Sequence, residues 1–231
     1  MIFGDAVRAA DVADAAVTAQ WIAAACDGAP GTVGSWVPAT FPSYARIHAP
    51  EPGDDWWAEY RELHATVAAV AGRHTSTPDS VWFAIWEGHG FANATTHIVW
   101  QGPLTDETRR ALDAEQARLR EEDVRRNGAI RAALDELPAF ETFWLGSPFR
   151  RYVLLCGPVA AASLLDEPGP PGSFQRPDLW WPDDRRWFVA TDTDFWSLYV
   201  GGDEALIDEL AASVPTVVEH CGTDTFVNPE D

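Results

Sequence analysis

The stretch that decides the fold runs from Trp187 to Ala212 and reads WFVATDTDFWSLYVGGDEALIDELAA. Two segments rich in β-branched and aromatic residues, 187–191 and 195–200, flank a Thr-Asp-Thr-Asp run of the kind that hairpin turns favour. Two glycines then lead into a helix over 203–212, which begins with an aspartate that can cap it. The stretch therefore predicts two antiparallel strands followed by a helix.

The same order of segments occurs twice more, closer to the amino terminus. Strands are predicted over 81–86 and 97–100, before Gly102-Pro103 and a helix. They are predicted again over 140–145 and 152–156, before a Gly-Pro pair and a short helix. Three such strand–strand–helix units predict an α+β fold with an antiparallel or mixed sheet and helices packed on it.

Two further helices are predicted before these units. The first covers residues 5–26, and the second begins at Asp54 or Asp55 and ends at Gly72. The second helix has an apolar stripe with steps of four and three residues, made of Trp56, Tyr60, Leu63, Val67 and Val70. Because this spacing places all five side chains on one face, we expect them to be buried together.

Two stretches depart from this pattern. Thr105 to Glu136 holds seven of the 16 arginines and nine of the 36 acids, so residues 105–137 are predicted to be a polar helical insertion, divided at Asn127-Gly128. Residues 166–182 contain five prolines and are predicted to form a Pro-rich loop. A length of 231 residues suits a single globular domain over 1–231.

The charge balance limits the partners of the chain. Thirty-six acids stand against 16 bases, all of them arginine, for a net charge of −20. Such a surface repels phosphate groups, which argues against nucleic-acid and anionic-membrane partners. The amino-terminal residues lack the basic and apolar regions of a signal peptide, and three cysteines do not suit a disulfide framework. We therefore expect a cytoplasmic protein.

No motif in the sequence identifies a catalytic reaction. The six histidines include no His-x-x-x-His pair, and a Walker lysine is impossible because the chain has no lysine. A Rossmann glycine triplet and a Gly-x-Ser-x-Gly elbow are also missing from the sequence. We expect no cofactor and no metal site, and we lean against an enzyme.

The densest candidate binding segment is 180–187, which combines aromatic and charged residues: Trp180, Trp181, Asp183, Asp184, Arg185 and Trp187. Aromatic rings beside carboxylates could bind a cationic or sugar-like ligand. The alternative is structural, with a turn at Trp181-Pro182, acids paired with arginines, and indoles in the core. The structural alternative is favoured, since large aromatic residues are usually buried.

Carboxylates at the ends of predicted strands are the other candidates. Asp192 and Asp194 lie two residues apart and could ligate a hard cation or divide acid and base roles, although a hairpin turn also favours this pattern. Glu87 follows the strand that contains Trp82 and Trp86. If the two hairpins are neighbours, Glu87 and Asp192 would face a shared cleft lined by tryptophans.

Three pieces of the sequence carry a resemblance. They are Val37-Pro38 with 44–48 and Pro50; 74–79 with 82–88 and Gly90; and 177–185 continuing through 187–192 to 199–202. Together they resemble an uncharacterised family of tryptophan-rich actinobacterial proteins to which no activity is attached. The resemblance implies an intracellular bacterial origin and brings no catalytic residue with it.

Two functional hypotheses remain. The first is a non-catalytic protein-interaction protein, an immunity-type inhibitor or regulatory adaptor, whose acidic and tryptophan-rich surface binds a protein partner, for example a basic protein. The second is a small-molecule-binding protein or enzyme with a tryptophan-lined cleft and the carboxylates of Glu87, Asp192 and Asp194. The absence of a catalytic motif favours the first hypothesis.

Overall fold

The computed structural model of the chain describes residues 2–88, 95–144, 147–165, 175–192 and 195–227. Four α-helices are present in this part of the chain: α1 (Val12–Ala25), α2 (Trp56–Ala71), α3 (Asp106–Asp135) and α4 (Glu204–Ser213). Short 3-10 helices cover Val33–Ser35, Gly72–His74 and Val159–Ser163. Within the described residues, no helix is both long and apolar enough to cross a membrane.

The strands form one sheet. They are β1 (Arg8–Ala9), β2 (Ser43–Ile47), β3 (Val81–Trp86), β4 (Ala139–Trp144), β5 (Ser147–Gly157), β6 (Leu179–Pro182), β7 (Phe188–Asp192), β8 (Phe195–Gly202) and β9 (Val218–Cys221). Their order is β1-β5-β3-β6-β7-β8-β2-β9, and β4 also pairs with β5. All pairings among the described strands are antiparallel. The predicted α+β class and its helix-covered antiparallel sheet are confirmed.

Side chains that alternate along the strands build a core on each face of the sheet. One core contains Phe83, Trp180 and Val189 and is closed by α2 and α4. The other contains Trp181, Phe188 and residues of α1. Because successive strand residues point to opposite faces, a run such as Leu179–Pro182 supplies both cores, and all four of its residues are buried.

The apolar stripe of α2 is buried as its spacing predicts. Tyr60, Leu63 and Val67 expose none of their surface, and Val70 exposes 1%. Trp56 is partly buried and packs against the same core. On the outward side of the helix, Glu59 and Glu62 are exposed. This helix therefore separates an apolar face from an acidic one.

Several predicted boundaries need correction. Residues 97–100 form no strand, and helix α1 begins at Val12 because Arg8–Ala9 pair with β5. Of the predicted Pro-rich loop over 166–182, residues 166–174 lie outside the described residues, and Leu179–Pro182 form β6 against β3. The polar helix is unbroken, since α3 continues through Asn127 and Gly128.

Candidate functional site

The three tryptophans of segment 180–187 lie in the core. Trp180 and Trp187 meet edge to face with ring centroids 5.2 Å apart. Trp181, in the core on the other face, stacks on Phe188 at 5.4 Å. None of the three exposes more than 1% of its surface. These indoles therefore pack against protein and do not offer their faces to a ligand.

The turn between β6 and β7 is held by Asp184. Its carboxylate accepts hydrogen bonds from the amide and hydroxyl of Ser76 and from the hydroxyl of Thr75, each at 2.8 Å. Burial alone would raise the pKa of Asp184, but these hydrogen bonds hold it below its ordinary value. The structure thus assigns Asp184 to a contact between the turn and the segment after α2.

The residues on either side of Asp184 face outward. Asp183 is exposed and accepts a hydrogen bond from Trp82 Nε1 at 3.1 Å. Arg185 has a φ of 55°, in the left-handed region, and its guanidinium lies 4.5 Å from the centroid of the Trp21 ring. These contacts join the turn to β3 and to α1.

Asp192 forms an ion pair inside the protein. Its partner is the guanidinium of Arg150, and the two side chains expose 0% and 11% of their surface. The same guanidinium lies 4.0 Å from the centroid of the Trp86 ring. The structure therefore brings the predicted site residues Trp86 and Asp192 together, with Arg150 in contact with both.

Two more buried ionisable residues extend this pair into a group that we name the buried charge cluster, made of Arg150, Arg176, Asp178 and Asp192. Arg176 donates to the backbone carbonyl of Asp192 at 2.5 Å. Asp178 accepts from the Trp86 amide at 2.7 Å. Arg176 exposes 5% of its surface and Asp178 none. Opposite charges and backbone groups partly compensate these residues for the loss of water around them.

The pKa of Tyr152 depends on the buried charge cluster. Burial raises the pKa of its phenol well above the ordinary value, and the negative charges of Asp178 and Asp192 raise it further. Arg150 opposes this shift only in part. The phenol therefore stays protonated near neutral pH, so Tyr152 is no general base there.

Glu87 is bound elsewhere, by Arg151, in an ion pair whose side chains are 36% and 28% exposed. Successive strand residues point to opposite faces, so Arg150 and Arg151 direct their side chains to different sides of the sheet. Glu87 and Asp192 consequently have different arginine partners. Asp194 lies outside the described residues.

A groove of about 780 Å³ lies beside α2 and the adjacent strands β2 and β9. We name it the acidic groove, because four glutamates line it: Glu51, Glu59, Glu62 and Glu219. Apolar lining comes from Ala49, Pro50, Pro215 and Val217. Val217 is 61% exposed, and Trp57, 58% exposed, lies next to Trp56, whose indole donates to the Pro50 carbonyl at 2.9 Å.

The acidic groove is negative and largely unpaired. Among its described lining residues only His48 can carry positive charge, and its Nε2 lies 3.1 Å from Glu219 Oε2. This contact with the imidazole lowers the pKa of Glu219 below its ordinary value. Glu51, Glu59 and Glu62 are exposed and form no ion pair with another described residue. A cation that enters the groove would meet carboxylates that no side chain in the described part of the structure neutralises.

A smaller depression of about 470 Å³ is lined by residues of mixed charge, including Arg73, His74, Asp184 and Asp203. Arg73 and His74 both bind Glu209 of α4, at 2.5 and 2.6 Å. His74 also faces Asp203 at 3.6 Å. These contacts tie the end of α2 to α4, which is a structural use of the charges.

Sequence reasoning missed the acidic groove because its residues come from three separate segments: 48–51, the outward face of α2, and 215–219. The signal that was available is the Glu59/Glu62 pair opposite the apolar stripe. The pairing of β9 with β2 brings two of these segments together, and the sequence of either strand alone does not reveal that pairing.

Comparisons of the chain with protein-family models, with curated proteins and with solved structures find no match. The resemblance of three sequence pieces to tryptophan-rich actinobacterial proteins therefore stays a prediction. Among the described residues, no group of three or more histidine, cysteine or acidic side chains is placed to hold a metal ion. Function has to be argued from the geometry itself.

Proposed function

We propose that the protein is a non-catalytic binding protein that receives a basic segment of a partner protein in the acidic groove, as an immunity-type inhibitor or regulatory adaptor would. The observation that carries the proposal is a set of three exposed glutamates, Glu51, Glu59 and Glu62, around a groove of about 780 Å³, none of which has an ion-pair partner among the residues that the structure describes. Arginine or lysine side chains would supply the missing positive charge.

The apolar parts of the groove support a protein partner over a simple cation. Trp57 and Val217 are more than half exposed at or beside the groove, and aromatic residues of this kind are common anchors of protein interfaces. The stems of lysine and arginine can pack on such surfaces while their charged ends reach the carboxylates. The groove therefore offers both components of a peptide-binding surface.

The charge of the whole chain supports the same partner. A net charge of −20 attracts a basic protein over distances beyond direct contact and raises the association rate at low salt. The alternative, a small-molecule site lined by tryptophans and carboxylates, has less support. Trp180, Trp181 and Trp187 are buried, and Asp192 is paired with Arg150.

Two triple variants separate the groove from the general electrostatic field. The groove variant E51Q/E59Q/E62Q removes three carboxylates of the lining. The matched variant E107Q/D113N/E121Q removes three exposed acids of α3 and changes the net charge equally. Binding of a nine-residue arginine peptide is measured for both variants and the unmodified protein by calorimetry at two salt concentrations.

We expect the groove variant to lose about tenfold or more in affinity and the matched variant to lose about twofold or less, since diffuse charge acts mainly on the association rate. Equal losses would assign binding to net charge and would contradict the proposal. No measurable binding of the peptide to the unmodified protein at low salt would contradict it as well.

A further inference from the structure

The segment 95–104 combines a strand-forming sequence with a structure that contains no strand. It includes His97-Ile98-Val99-Trp100, whose β-branched and aromatic residues favour sheets, yet no strand includes these residues. The apolar side chains of this segment are also unusually exposed, with Val99 at 83%, Leu104 at 53% and Trp100 at 49%. The acidic groove makes no use of this surface.

Side chains of α3 hold one edge of the segment. The Thr96 amide and hydroxyl donate to Asp123 at 2.6 and 2.8 Å. The Gln116 side chain accepts from the Ile98 amide at 3.2 Å and donates to the Thr96 carbonyl at 2.8 Å. The backbone groups of alternate residues therefore point towards α3, which is the pattern of an extended chain paired along one edge.

No described residue pairs with the other edge of the segment. In an extended chain the amide and carbonyl of His97 and Val99 point away from the side used by Thr96 and Ile98. Neither residue makes a backbone hydrogen bond to any other described residue. An open edge with strand-forming side chains is a template for pairing with another strand.

We propose that this edge is the interface of a homodimer, in which segment 95–104 pairs antiparallel with the same segment of a second copy. A two-fold axis beside Ile98 would place His97 of one copy opposite Val99 of the other. Both amides and both carbonyls of that pair would then be satisfied, and symmetry repeats the pair. Ile98 would meet its own copy across the axis.

Charge selects the second copy as the occupant. Two molecules of net charge −20 repel each other over most of their surface. Residues 95–104, however, contain no aspartate, glutamate or arginine. The neighbouring α3 is almost balanced, with eight acids and seven arginines. This side of the molecule is therefore one where two copies can approach with little repulsion, whereas a basic partner gains nothing from it.

The test is the oligomeric state, measured by sedimentation across about 5 to 500 µM protein. Val99→Pro removes the outward amide, which the monomer does not use, and a proline also tolerates only an extended residue before it. Val99→Lys removes the apolar contact beside the two-fold axis, while it lowers the net negative charge of each copy. Val217→Lys, at an exposed valine of the acidic groove, is the matched control.

We expect the unmodified protein and Val217→Lys to dimerise with similar affinity, and both Val99 variants to weaken dimerisation about tenfold or more. Hydrogen exchange at the His97 and Val99 amides should slow as protein concentration rises. A monomer throughout the range, or dimers that the Val99 variants leave intact, would overturn the proposal. Since the Val99 variants keep the acidic groove, their binding of the arginine peptide should be unchanged, whichever way the test of the groove turns out.

Discussion

The buried charge cluster and the acidic groove contain similar residues in opposite circumstances. In the cluster, Asp178 and Asp192 are fully buried, and arginines or backbone groups satisfy them. In the groove, Glu51, Glu59 and Glu62 are exposed and have no ion-pair partner among the described residues. A carboxylate in the buried charge cluster helps to specify the fold, because its removal leaves the charge of its buried partner without solvent or a counter-charge. A carboxylate in the acidic groove can be removed with little loss of stability and is available to bind a positively charged partner.

The comparison predicts its largest effect at Asp192. Asp192→Asn would leave the buried guanidinium of Arg150 without its counter-charge, so we expect a loss of about 3–5 kcal/mol in the free energy of unfolding. Because the total for a domain is only about 5–15 kcal/mol, urea denaturation should show a large shift of the midpoint.

Asp183 is the control for that prediction. It is exposed, and among the described side chains its carboxylate accepts one hydrogen bond, from the Trp82 indole, so Asp183→Asn should cost less than about 1 kcal/mol. Similar stabilities for Asp192→Asn and the unmodified protein would show that the pair contributes little, and would reopen Asp192 as a binding residue.

Helix α2 carries both kinds of surface, so adjacent residues sharpen the comparison. Leu63→Ala should cost about 2–5 kcal/mol, because Leu63 is fully buried in the core beneath the sheet and its loss opens a cavity. The urea midpoint of Leu63→Ala is compared with that of Glu62→Gln, one residue away on the exposed face. A loss below about half a kcal/mol for Leu63→Ala would contradict the burial.

His64 lies on the buried side of the same helix, where burial changes the pKa of its imidazole. Burial lowers the pKa of His64 from its ordinary value of 6.5 to about 4, although the hydrogen bond between Nδ1 and the Tyr60 carbonyl opposes the shift. Between these pH values the unfolded chain binds the proton and the folded chain does not. Stability should therefore fall as the pH drops from about 6.5 to 4, by up to about 3 kcal/mol from this residue.

The measurement is the free energy of unfolding between pH 7 and 4.5 for the unmodified protein and for His64→Gln. The variant should lose less stability across this range. His220→Gln, at an exposed histidine outside the proposed dimer edge, serves as the control and should follow the unmodified protein. Identical pH profiles for all three proteins would mean that water reaches His64 and that its environment is not the buried one described.

The elements with strong hydrophobic periodicity were the ones that the sequence predicted. The strands at 81–86 and 195–200 and the helix with Leu63 lie within a few residues of their predicted places. Segment 97–100 has equal strand propensity but pairs with side chains of α3, a tertiary effect that propensity does not contain. Gly128 does not end α3, since a single glycine costs only about 1 kcal/mol among good helix formers.

The candidate site was harder to predict than the fold. Segment 180–187 was a candidate because aromatic and charged residues are concentrated in it. Such a concentration does not distinguish a buried indole from an exposed one, and Trp180, Trp181 and Trp187 are core residues. To predict the acidic groove, one would have to know that a few residues from three separate segments lie close together in space. Pairing of β2 with β9 supplies this information, and β9 was not predicted, because Val218–Cys221 is short and only partly apolar.

The smallest expected effect has the opposite sign and tests the groove's unpaired state directly. Glu59 and Glu62 lie three residues apart on α2, so their charges repel each other. Glu62→Gln should therefore stabilise the protein by about 0.2–0.5 kcal/mol at low salt, and the gain should shrink in 1 M salt as screening removes the repulsion. Glu121→Gln is the matched variant, because Glu121 lies three and four residues from Arg118 and Arg125 on α3 and should stabilise the helix by attraction. Its removal should destabilise slightly at low salt. Two exposed glutamates would then respond to the same substitution with opposite signs, whereas a loss of stability in both variants would show that Glu62 has a favourable partner and that the groove is not a site of unpaired charge.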